Sequence, residues 1–127
     1  AAGSAIRLRR DDVAPDIPIL FLDIPAQSTI QNSGFAVLDG TPISAAGVRV
    51  FAKEGVILKS VILFTTGLQK RAYESAMLEE ITQGLGLLTD IGGTYYESRS
   101  IFSQSSNALT KLGAQDIMSL GRHYPAR

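Results

Sequence analysis

The first sustained apolar run, residues 17–23, lies between Pro15 and Pro25, and a compact run of this length bounded by prolines predicts a buried strand. Before it, residues 1–12 are polar and expected to be loosely held. After it, residues 26–34 are rich in Ser, Gln, Asn and Thr, and Asp39-Gly40-Thr41-Pro42 is turn chemistry. This stretch is expected to be surface loop, the most mobile part of the chain, with at most a short strand at 35–38. Residues 48–52 and 56–66 follow, joined by a turn at Lys53-Glu54-Gly55. The second run is rich in Val, Ile and Phe, as packing in a sheet requires, and the pair predicts a hairpin. From residue 69 the pattern changes: Ala, Leu, Glu, Lys and Gln dominate, and the segment ends at glycines where a helix C-cap would sit, which predicts a helix over 69–84. Residues 87–107 read as an extended loop of Gly, Ser, Thr, Tyr and Asp. Thr110 is placed to cap a last helix whose apolar positions Leu112, Ile117 and Leu120 fall at helical spacing before Pro125 stops it.

These elements amount to an α+β fold: a small mixed sheet, a long central helix and a C-terminal helix. At 127 residues the chain matches the commonest size of one folding unit, so a single domain over 1–127 is expected. With 45% hydrophobic and 19% charged residues it has enough apolar surface to bury a core. Twelve basic and twelve acidic residues leave no surplus to neutralise a phosphate backbone, and the cluster Arg7, Arg9 and Arg10 runs straight into Asp11 and Asp12. Nucleic acid is therefore not an expected partner. There is no cysteine, which rules out disulfides, cysteine-ligated zinc and a thiol nucleophile. No apolar run approaches the roughly 20 residues needed to span a bilayer as a helix. The chain opens on Ala1, which points to a processed protein or a piece of a longer one, so the lack of a signal segment is uninformative.

The predicted helix carries the candidate chemistry. At about 100° per residue, Tyr73, Ala76, Met77, Ile81 and Gly84 share one face, and Glu80 falls in the middle of it. Glu79 and Gln83 are one turn apart on the adjoining edge, so three polar side chains form one patch beside the apolar stripe. A glutamate in this setting is more often held by an arginine or by backbone donors than catalytic. Arg71 and Arg99 are the arginines expected to pair with Glu80 if its role is structural; an open cleft would mark a chemical one.

Glu79-Glu80-Ile81-Thr82-Gln83-Gly84-Leu85-Gly86 can be set against H-E-x-x-H-x-x-G, the zinc-protease helix in which two histidines one turn apart bind metal and the glutamate activates water. Glu80 and Gly86 match, whereas Glu79 and Gln83 stand at the two ligand positions and Thr89 where a third histidine would follow. A glutamine amide is a poor zinc ligand, and His123 is the single histidine of the chain, so a three-histidine site cannot be assembled. Residues 109–124, with Gln115-Asp116-Ile117, Leu120 and Tyr124, look like the short helix that closes matrix-metalloprotease-type domains. Narrower still, residues 76–87, Ser100-Ile101-Phe102 and Leu109-Thr110 resemble the bacterial domain-of-unknown-function family 2927, in which a Glu-Glu-x-x-Gln helix is usual. The likeness covers residues 48–125 and is strongest over 79–87. It implies a metzincin-like fold lacking the zinc-binding histidines, no resident metal or cofactor, and an exported or lipid-anchored bacterial chain in the cell envelope or secreted. It carries no activity.

The other signals have simpler readings. Gly92-Gly93 before Thr94, Tyr95 and Tyr96 marks a turn into an extended segment. Ser98, Ser100, Ser103, Ser105 and Ser106 lack a base other than His123, which makes a serine hydrolase improbable. His123 itself suits a helix C-terminus. Gly84-x-Gly86 follows a helix instead of opening one, the wrong context for phosphate. Two functions follow. The first is a non-catalytic, pseudo-protease domain that binds a protein or cell-envelope partner or holds a larger chain together. The second is a hydrolase with Glu80 as general acid or base and Glu79, Gln83 or Asp90 positioning substrate or a hard cation such as Ca²⁺ or Mg²⁺. Adjacent helical residues diverge by about 100°, which keeps Glu79 and Glu80 from facing one small substrate together.

Overall fold

The structure, a computed structural model, describes residues 5–87, 109 and 111–126. Among the described residues, five strands and two helices follow in order: β1 Ile19–Phe21, β2 Ser28–Thr29, β3 Pro42–Ile43, β4 Ala46–Lys53, β5 Val56–Phe64, α1 Tyr73–Gly84 and α2 Ala114–His123. A 3-10 turn, Lys70–Ala72, leads into α1. The class is α+β, with a mixed three-stranded sheet in the order β1-β5-β4. β1 runs parallel to β5, pairing Ile19 with Ile62 and Phe21 with Phe64, and β4 runs antiparallel on the other side.

β5 is central because its sequence can be buried on both faces. Val61, Ile62, Leu63 and Phe64 are each fully buried, and each such side chain contributes about 2 kcal/mol of transfer free energy. Strand alternation splits them into two layers. Val61 and Leu63 join Ile30, Leu38 and Ile43 in one core cluster, with Leu20, Leu22, Ile24, Phe35 and Phe51 packed around it. Phe64 points the other way, into an aromatic group with Phe21 (ring centroids 5.4 Å apart) and with Tyr73 of α1 (5.6 Å). One layer is therefore α1, the middle layer the sheet, and the third the segment between β1 and β4.

That third layer corrects the sequence reading. Residues 26–42 were expected to be surface loop with at most a short strand at 35–38, yet Ile30 and Leu38 within them, and Ile43 next to them, are buried. β2 and β3 pair antiparallel, Ser28 with Ile43 and Thr29 with Pro42. Beyond them Ile30 N–H donates to Thr41 O and Gly40 N–H to Ile30 O, both at 2.8 Å, closing the loop at its neck. Asp39 holds the interior by accepting from the Ser33 hydroxyl at 2.7 Å and from its N–H at 3.1 Å. The short strand expected at 35–38 is a turn instead, with Leu38 N–H donating to Phe35 O. A segment whose polar side chains satisfy its own backbone can fold into a packed layer with almost no regular structure.

The hairpin and helix stand where expected, with shifted ends. β4 starts at Ala46 and β5 ends at Phe64, and the register slips between Phe51 and Ala52, leaving Leu58 as a bulge between partners Ile57 and Lys59. The last helix begins later than Thr110 implied. Its N-cap is Gly113, whose N–H donates to Asp116 Oδ2 at 2.9 Å, so Asp116 supplies the reciprocal half of a capping box that a glycine cannot supply itself. Thr110 and residues 88–108, with Thr89, Asp90, the Gly92-Gly93 turn, Arg99 and the serine run, lie outside the described residues. At the other end, Ala5 N–H donates to Tyr124 O at 2.9 Å, tying the start of the described chain to the end of α2. Among the described residues no helix is long and apolar enough to cross a membrane.

Candidate functional site

α1 crosses the sheet from the Phe64 end of β5 to the Ser60 region. Tyr73 packs on Phe64 at its N-terminal end. At its C-terminal end a Cβ on Gly84 would stand 3.3 Å from Ser60 Cβ and 3.7 Å from Val48 Cγ2, so helix and sheet meet here almost backbone to backbone. The Ser60 hydroxyl donates to Gly84 O at 2.6 Å, giving a partner to one of the carbonyls that the end of a helix leaves open.

Glu80 lies between these two anchors on the same stripe and is buried, with only 8% of its surface exposed. This agrees with its predicted place on the inward face. The helix is not buried on that side alone, however. Ser75 and Thr82, half a turn away from the stripe, are 5% and 3% exposed, so α1 is covered on two faces. Thr82 turns its hydroxyl back to Leu78 O at 2.7 Å, the usual way a helical threonine satisfies itself in a packed setting. Glu79 and Gln83, the two positions where the protease motif has histidines, face each other one turn apart, and Gln83 Nε2 donates to Glu79 Oε1 at 3.4 Å. Arg71 does not serve Glu80. It is exposed, and its Nε donates to Gln69 Oε1 at 3.0 Å.

The structure adds something the sequence reading missed, namely what gathers at the end of α1. Gly86 has φ +107°, a conformation that side chains rarely adopt, and a Cβ there would come within 2.9 Å of His123 Nε2 and 3.2 Å of Ile57 Cδ1. Next to it the Tyr124 hydroxyl donates to Leu85 O at 2.6 Å, and the His123 and Tyr124 rings meet edge to face at 4.9 Å. Burial pushes the Tyr124 phenol above its ordinary value. The protease-like glycine is therefore where α2 docks on α1, and His123 stacks over a glycine backbone. Among the described residues no group of three His, Asp or Glu side chains is arranged to hold a metal ion.

An open concavity lies elsewhere. A cleft of about 450 Å³ opens on the far side of the sheet from α1, beside β2, β3 and β4, and includes Arg49. The sequence signal for it was a single cation inside the apolar run Val48-Arg49-Val50-Phe51. Compared with protein-family models, with curated proteins and with solved structures, the chain matches none of the three.

Proposed function

We propose that this chain is a non-catalytic, metzincin-like domain of the family 2927 type, carried by an exported bacterial protein, in which the protease-like helix is a structural member and the domain serves to bind a partner or join parts of a larger chain. The observation that carries this reading is the placement of Glu80, buried on α1 between the Tyr73–Phe64 and Gly84–Ser60 contacts, while Glu79 and Gln83 hydrogen-bond to each other. A general base must reach a water or substrate proton. A carboxylate with so little exposed surface inside a helix–sheet interface is poorly placed for that, which weighs against the carboxylate-hydrolase alternative. The hairpin directly before the helix and α2 docked at its end support the scaffold likeness.

The test is substitution of Glu80 combined with metal analysis. Glu80→Gln keeps the shape of the side chain, and the expected outcome is an unchanged near-ultraviolet dichroism spectrum, a cooperative unfolding transition, and less than one-tenth equivalent of zinc in protein purified without chelator. Stoichiometric zinc that is lost in the Glu80→Gln or Gln83→Ala protein would overturn the reading.

A further inference from the structure

On the sheet face away from α1, the outer edge of β4 and the β2–β3 ribbon border the open cleft of about 450 Å³. Strand register shapes its wall. Thr65 N–H donates to Ala45 O, which fixes the antiparallel ladder so that Gly47, Arg49 and Phe51 exchange hydrogen bonds with β5, and Ala46, Val48 and Val50 turn their N–H and C=O groups outward. Two of those carbonyls are satisfied locally. Ala46 O accepts from the Ser44 hydroxyl at 3.3 Å, and Val48 O from Arg49 Nη1 at 3.1 Å. An edge capped by its own side chains resists a further strand. It leaves the Ala46 N–H as a donor at the cleft wall.

Arg49 lines the cleft. Its Nη2 donates to Pro42 O at 2.8 Å, so the guanidinium bridges β4 to β3 with both nitrogens of its fork fixed in direction. Gly47 makes this possible, because a Cβ there would stand 3.1 Å from Nη1. Carbonyl dipoles orient these N–H groups without neutralising the charge. Arg49 is partly buried, and among the described residues no carboxylate lines the cleft. A guanidinium withdrawn from water normally has an anionic partner.

We infer that this cleft binds a small organic monocarboxylate, its carboxylate on the free N–H groups of Arg49 and its apolar body against Ile43 and Pro42. One planar cation matches a singly charged, planar carboxylate, whereas a phosphate dianion calls for a second positive charge, and among the described residues Arg49 alone lines the cleft as a cation. The hydroxyls of Ser28 and Ser44 have already donated to Pro25 O and Ala46 O, so they add shape and no further anion donors.

The experiment is a titration of the ¹⁵N-labelled full chain with isovalerate, isovaleramide and inorganic phosphate at constant ionic strength. The expected result is saturable movement of the Ser44, Ala46 and Arg49 signals with isovalerate, and binding at least about tenfold weaker for isovaleramide and for phosphate. Arg49→Gln should abolish the response. Should that variant unfold, Arg49→Lys keeps the charge, loses the fork, and is expected to bind at least about tenfold more weakly. Absence of saturable shifts with isovalerate, equal binding of the amide, tighter binding of phosphate, or undiminished binding by Arg49→Lys would each overturn the inference.

Discussion

Glu54 and Gly55 sit at φ 52° and 77° between the paired residues Lys53 and Val56. Two consecutive left-handed residues in a two-residue hairpin loop make a type I′ turn, whose twist matches that of the strands it joins. The glycine was legible as a turn signal, but nothing in Lys-Glu-Gly specifies this turn type, because glutamate carries a side chain through a conformation that asparagine tolerates better. Glu54→Asn is expected to stabilise the protein by about 0.5 kcal/mol and Gly55→Ala to destabilise it by about 1–2 kcal/mol, read from urea denaturation midpoints. If Asn proved no better than Glu, Glu54 would be held by something other than its backbone preference. Glu80 is the converse case. Its inward position followed from helical phase alone, but whether that position meant a cleft or a packed interface depended on Ser60 and Gly84, twenty-four residues apart in the chain.

At the scale of elements, α1 was the most legible feature because its composition and its terminating glycines agreed with each other over several turns. What composition left open was how the helix is fastened at its end. The Ser60 hydroxyl and the Tyr124 hydroxyl take successive carbonyls, Gly84 O and Leu85 O, so β5 and α2 both finish the same helix terminus. Tyr124→Phe removes one of these bonds without changing volume, and the expected loss is about 1 kcal/mol near neutral pH. The bond also leaves a signature at alkaline pH. Burial raises the phenol above 10.0, so between that value and the folded one the native state binds more protons than the unfolded chain, and stability falls as pH rises. The contribution is fully present below pH 10.0 and is lost above it. Unfolding midpoints measured from pH 9 to 11 should therefore decline more steeply in the parent than in Tyr124→Phe. Parallel slopes would mean that the hydroxyl is not buried against α1.

At the scale of the whole molecule, the sheet is covered on both faces, and the two covers differ in how visible they were. The helical cover is one continuous segment, readable from its composition and its terminating glycines. The other cover is built from Ile30, Leu38 and Ile43, which lie in or beside short segments of Ser, Asn, Thr and Gly and whose burial arises from packing with Val61 and Leu63. Local pattern cannot report such contacts, since Ile30 and Ile43 each look like a lone hydrophobe among polar residues and the run ending at Leu38 is too short to carry a period. The consequence is a stability difference that separates surface loop from core layer. Ile30→Ala and Leu38→Ala are each expected to cost about 2–4 kcal/mol, the range for truncating a large buried side chain, whereas a surface loop would give changes within about 0.5 kcal/mol. Because Ile30 and Leu38 touch the same strand that carries Phe64 towards α1, the loss should lower one cooperative transition and not detach a separate loop-melting step. Urea unfolding followed both by near-ultraviolet dichroism and by backbone dichroism checks this: coincident curves shifted together place the segment in the core, and separated curves return it to the surface.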